Sequence, residues 1–129
     1  MIYGIGTDIV EITRIEKVNL ERLIRRILTK REQQHLPVHP KQRIQFVAGR
    51  FAAKEALAKA LGTGIGSAFS FQDAEIIPNP KGKPEVKLSS TLEDRFEEPK
   101  WLTVHLSISH TDQVAMAMVV IESLHKNFE

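Results

Sequence analysis

The stretch Ile44–Leu61, IQFVAGRFAAKEALAKAL, does most to restrict how this chain can fold. Apolar residues recur at Ile44, Val47, Ala48, Phe51, Ala52 and Ala58, the spacing of a helix with a buried face. At roughly 100° per residue, Glu55 points between Ala48 and Phe51, in the middle of that predicted face. An unpaired buried carboxylate costs several kcal/mol, on the order of the penalty for any buried ion. Glu55 is therefore expected to have a cation, either Lys59 one turn later or a metal ion.

A second acid is similarly placed. In the N-terminal run MIYGIGTDIVEI, strand alternation puts Ile2, Gly4, Gly6 and Asp8 on one side and Tyr3, Ile5, Thr7 and Ile9 on the other. Two acids in apolar settings on different elements suit a hard-oxygen cation site. The plainer alternative is a Glu55–Lys59 ion pair, with Asp8 merely ending a strand.

A length of 129 residues predicts one domain, 1–129. The chain is 42% hydrophobic and 26% charged, as in soluble globular proteins. No apolar stretch approaches the length of a membrane span, and no signal peptide is recognisable, so the expected location is cytoplasmic, with no membrane partner. The absence of cysteine excludes disulfides and thiolate chemistry. The net charge of +2 hides an asymmetry: residues 1–60 carry 12 Lys and Arg against 6 Asp and Glu, and residues 61–129 carry 6 against 10. The excess gathers around Arg14, Lys17, Arg22, Arg25, Arg26, Lys30 and Arg31, which suits an anionic partner or a solvated helix face.

The remaining pattern predicts an α+β fold, a mostly antiparallel sheet packed on the long central helix. A strand near residues 2–8 leads to a helix from about Arg14, capped by Thr13 with Glu16 and striped by Ile15, Val18, Leu23, Ile27 and Leu28. Thr29 with Glu32 predicts a second, short helix to about Leu36. Pro37 and Pro40 break the chain before the central helix, which ends at Gly62. Strands are expected over Phe71–Ile77 and Glu85–Leu88, a short helix over Ser90–Glu98, and a hairpin of Leu102–Ser109 with Val114–Ile121.

Several loops could bind phosphate. The glycines from Gly62 to Gly66 allow close backbone approach, or simply turn the chain. PNPKGKP, with Lys81 and Lys83, is a stiff cationic turn or an ordinary charged hairpin tip. His110, at a strand end, could donate to a phosphate or move a proton, or be a turn residue. The histidines have no HExxH spacing, and neither a GxSxG elbow nor a P-loop is present. Two acids, several cations and one histidine suit magnesium-assisted phosphoryl transfer, because magnesium commonly uses one or two carboxylates plus substrate phosphates.

GIGTDIVEI, GRFAAKEALAKALGTGIG and LSISHTDQVAMAMVV, in that order, resemble the holo-acyl-carrier-protein synthases, the single-domain 4'-phosphopantetheinyl transferases. NPKGKP resembles that family's coenzyme A loop. The resemblance runs from Met1 to about Glu122, although Phe71 stands where many members have tryptophan. It implies Mg²⁺-dependent transfer of the phosphopantetheine arm of coenzyme A to a serine of apo-acyl-carrier protein, by a homotrimer with active sites between subunits. It implies Asp8 and Glu55 as magnesium ligands, with Glu55 and Lys59 serving the chemistry. Arg50, Lys54, Gly64, Asn79, Pro80, Lys81, Gly82, Lys83, Pro84, Ser109 and His110 match coenzyme A-binding segments. Arg14, Val18, Arg22 and Arg25 match the carrier-protein dock.

Two rival readings use the same residues. A magnesium-dependent phosphohydrolase would employ the acids without a protein acceptor. A non-catalytic basic module for nucleic acid is disfavoured, because the basic helix lacks interleaved aromatics and the chain has one Trp and one Tyr.

Overall fold

The computed structural model describes residues 1–94 and 102–123. Strand β1 (Ile2–Glu11) is followed by helices α1 (Ile12–Glu16), α2 (Leu20–Ile27), α3 (Lys30–Gln33) and α4 (Pro40–Leu61). Strands β2 (Ala74–Pro78), β3 (Pro84–Leu88), β4 (Leu102–His110) and β5 (Val114–Ser123) complete the fold. This is the expected α+β class, with antiparallel pairing throughout the described strands.

β5 lies centrally, between β1 and β4, and β2 pairs with β3 in a separate hairpin. The register aligns Asp8, Ala117 and Ile108 in one row. Even-numbered residues of β1 from Gly4 to Val10 face α4, and Tyr3, Ile5, Thr7 and Ile9 face outward. Contact with the helix depends on two glycines. A Cβ on Gly4 would overlap the carbonyl oxygen of Ala60, and one on Gly6 would overlap that of Ala56. The small residues of β1 and α4 thus let two backbones meet, which larger side chains would prevent.

The first helix departs from expectation. The single helix predicted from Arg14 is two, because the chain breaks at Lys17–Asn19. Thr13 caps nothing, and Asn19 supplies the cap instead, its Oδ1 accepting from the Arg22 N–H at 3.1 Å. Val18 falls in that break and is exposed rather than part of an apolar stripe. The Thr29–Glu32 capping box is present in both directions. α4 begins at Pro40 itself, where a break was expected, since proline suits a first helical position where no N–H bond is required. Gly62 ends it at φ +81°, as predicted. Phe71–Asp73 and Ser90–Asp94 are 3-10 turns, where a strand start and a helix were expected; residues 95–98 of that predicted helix lie outside the described ones.

Candidate active site

α4 is buried almost all round from Val47 to Leu61, because alanine and glycine admit neighbours on every side. The least buried line on this stretch is Phe51, Glu55 and Lys59, spaced four residues apart. Glu55 therefore lies on a half-open stripe and not in the middle of a buried face, which corrects the sequence expectation. The most enclosed charge on α4 is its neighbour Lys54, with none of its side chain exposed, and Arg50 one turn earlier is buried as well.

The stripe meets β1 at Asp8. Lys59 Nζ donates to the Thr7 carbonyl at 2.9 Å and pairs with Asp8 Oδ1 at 3.2 Å. Lys59 is thus the partner of Asp8 and not of Glu55. Among the described residues Glu55 makes no hydrogen bond or salt bridge. Burial first, and the Asp8 charge second, push the Glu55 carboxyl above its ordinary pKa, with Lys59 and Arg26 opposing. A carboxylate without a partner, made costlier by the charge of a second one, forms with it a donor set that a divalent cation would relieve. No cluster of three or more carboxylate or histidine ligands exists among the described residues, so any ion here needs further oxygens from substrate or water.

Arg26 is a component that sequence reasoning passed over. Its guanidinium lies 5.7 Å from the centroid of the Phe71 ring, and that ring stacks on Phe51 at 5.7 Å. The signal for it was present only as one arginine among many. Exposed Arg14, Arg22 and Arg25 and half-exposed Val18 occupy the same basic surface of α1, α2 and their junction. Val18, Asn19, Arg22, Leu23 and Arg26 line an open cavity of about 310 Å³.

A second group of expected residues gathers elsewhere. Arg50 and His110 line a cavity of about 400 Å³ with Phe46, Gly49 and Ile108. The Arg50 guanidinium lies over the Phe46 ring at 4.3 Å, and its buried Nε–H has no partner among the described residues. This half of the site belongs to the β4 side of the sheet, whereas Asp8 belongs to β1. The 79–83 turn joins β2 and β3, and β3 lines a cleft with β4 through Lys83, Pro84, Val104 and His105. Ser109, by strand alternation, shares the outer face with Met116, opposite His110.

Two expectations, at Lys54 and Gly64, need correction. Lys54 cannot reach a coenzyme A phosphate, because all three donors are spent inside, on Ile27, Glu32 and Phe71. The Gly64 N–H bonds the Ala58 carbonyl at 3.2 Å, as does that of Thr63 at 3.1 Å, so these two groups close a helix C-terminus and are not free to hold an anion. Asn79 turns its Oδ1 onto the N–H groups of Lys81 and Lys83, at 2.9 and 3.0 Å, and so shapes the turn. Lys81, Gly82 and Lys83 remain exposed on it.

A family model described as the 4'-phosphopantetheinyl transferase superfamily matches residues 4–119. A holo-[acyl-carrier-protein] synthase of Geobacillus kaustophilus is 52% identical over 128 residues, covering 96% of this chain and 92% of that protein. Among solved structures, the holo-(acyl-carrier-protein) synthase of Bacillus anthracis in complex with CoA (3',5'-ADP) is 46% identical, with a TM-score of 0.83 over 95% of this chain and 98% of the other. The Neisseria meningitidis enzyme is 43% identical, with a TM-score of 0.84 over 95% and 100%.

Proposed function

Because this chain belongs to the 4'-phosphopantetheinyl transferase superfamily, we infer that it is a holo-acyl-carrier-protein synthase. It transfers the 4'-phosphopantetheine group of coenzyme A to a serine of apo-acyl-carrier protein and releases adenosine 3',5'-bisphosphate. The reading takes residues 1–129 as one transferase domain. The observation that carries it is Glu55, an acid without a partner facing a second acid, on motifs shared with these enzymes.

Asp8 and Glu55 are the residues that would hold Mg²⁺, with substrate diphosphate oxygens completing the shell. The bound ion would supply charge neutralisation at the phosphate under attack and at the leaving group. The chain's own residues do the rest. Lys59, exposed beside Asp8, carries an ammonium that can turn to the diphosphate. Arg50 and His110, which line one cavity, bind the nucleotide end, with Lys81 and Lys83 adding positive charge. The basic surface of Arg14, Arg22 and Arg25 receives the acidic carrier and steers it to the corner. In the transfer, the serine oxygen bonds to phosphorus as the bond to the bisphosphate oxygen breaks, and the serine proton leaves to a base.

The acid corner and the Arg50–His110 cavity lie toward opposite edge strands of one sheet. A second copy that brings its β4 side to this β1 edge would join them. The outer face of the sheet supports such assembly: Ile5 is 68% exposed, Ile9 65%, Met116 43% and Met118 47%. We read this face as the core of a homotrimer with sites between subunits.

Mass spectrometry of apo-carrier protein incubated with coenzyme A and Mg²⁺ tests the function. The carrier should gain one phosphopantetheine, and EDTA should abolish the gain. Release of a nucleotide without modification of the carrier would instead support a phosphohydrolase.

A further inference from the structure

One ammonium on α4 holds several other segments of the fold. Lys54 Nζ donates to the Ile27 carbonyl at 2.6 Å, the Glu32 carboxylate at 2.7 Å and the Phe71 carbonyl at 2.8 Å. Glu32 is equally enclosed. Its Oε1 also accepts from the Thr29 N–H at 2.7 Å, and its Oε2 accepts from the Ile76 N–H at 2.8 Å. The pair therefore ties the end of α2, the cap of α3, the turn at Phe71 and strand β2 to a single turn of α4.

A buried ion pair is a poor choice for stability alone, since well-packed apolar side chains often serve as well. Its directional bonds do what apolar packing cannot, which is to fix orientation and register. The position matters here. Lys54 precedes Glu55, and Ile27 follows Arg26. Lys54 thus grips the backbone on both flanks of Arg26: at Ile27, the next residue, and at Phe71, whose ring lies under the guanidinium. The same ring stacks on Phe51, one turn before Glu55.

We propose that Lys54, through Glu32, Ile27 and Phe71, is a positioning residue for the transfer reaction. It holds the end of the basic helix, and Arg26 with it, against the turn of α4 that carries Glu55. A carrier protein docked on α2 then delivers its serine to the acid corner. This inference rests on the transferase reading above.

The test is a kinetic double-mutant cycle. Wild-type transfer is measured first; if no phosphopantetheine reaches the carrier, the transferase reading itself fails. The paired variant E32Q/K54M keeps the volume and removes both charges of the pair together, so neither partner is left facing an unpaired one. Kinetics are measured on protein shown by circular dichroism to be folded at the assay temperature. The expected result is a fall in kcat of about tenfold or more, as small misplacements of reacting groups produce, with KM for coenzyme A within about twofold of wild type. R26A should lower kcat/KM for the carrier in the wild-type background and add little, about twofold or less, in E32Q/K54M, since coupled residues are not additive. A residue that only stabilised the fold would leave kcat unchanged in folded protein and the two effects additive. Either a wild-type kcat or full additivity overturns the proposal. If E32Q/K54M does not fold, E32Q/K54Q, which also removes both charges of the pair and whose shorter amide cannot reproduce all three Lys54 bonds, is put through the same cycle with the same criteria.

Discussion

Lys54 and Glu55 are adjacent on one helix and meet opposite environments. Lys54 is enclosed with every donor satisfied, whereas Glu55 is half open and has no partner among the described residues. That contrast makes a prediction about stability. The Glu55 carboxyl is raised above its ordinary value of 4.5 by burial and by Asp8. A raised carboxyl favours the folded state most when protonated, and this contribution is lost as pH rises through the folded pKa. At neutral pH without divalent ions, E55Q should therefore melt at a higher temperature than wild type, and the difference should vanish on acidification to about pH 4, where an ordinary carboxyl is itself protonated. Added Mg²⁺ should raise the melting temperature of wild type and leave that of E55Q unchanged. In the transfer assay the same substitution should reduce turnover by about two orders of magnitude or more, the scale of removing a group that supports transition-state charge. A lower melting temperature for E55Q at neutral pH would mean that Glu55 is structurally satisfied.

Between elements, two contacts decide whether the site exists. The first is the approach of β1 to α4 at Gly4 and Gly6. G6A would force the Ala56 carbonyl away and separate Asp8 from the Glu55–Lys59 stripe. Denaturation should show a loss of about 1–3 kcal/mol, the usual range for overpacking, and Mg²⁺ should no longer raise the melting temperature. The second is the surface of α1 and α2, whose arginines face solvent. R14E should raise KM for the carrier by about tenfold while KM for coenzyme A stays within about twofold, because reversing an interface charge acts on the charged partner. Raising the ionic strength should move wild type in the same direction by screening. Equal losses toward both substrates would exclude this surface as the dock.

At the scale of the molecule, the proposed site is divided. Asp8 and Lys59 sit on the β1 side, Arg50 and His110 on the β4 side, and the outer face between these edges is apolar and exposed. If copies of the chain complete each other, D8N and R50A should each be nearly inactive alone. Mixed through subunit exchange, they should regain up to about a quarter of wild-type activity, the random share of interfaces that receive both intact halves. No recovery in exchanged mixtures would place both halves within one chain.

Local chemistry made much of this legible in advance. Period-two alternation in β1, the capping box at Thr29, the Gly62 stop and the β4–β5 hairpin depend on neighbours a few residues apart, and the chain shows them directly. Which charges are enclosed was not legible, because helical periodicity finds a buried face only when one side of the helix is solvated. α4 is packed on nearly all sides, so the pattern pointed to Glu55, and the tertiary contacts enclosed Lys54 instead. The pairing of Lys59 with Asp8 joins residues 51 positions apart and follows from the close approach at two glycines. The sequence by itself therefore determined the long helix, the main strands and the kinds of charged group they carry. Only the fold decided which of those groups are satisfied and which stay available, since a charge takes its energy from whatever surrounds it in space.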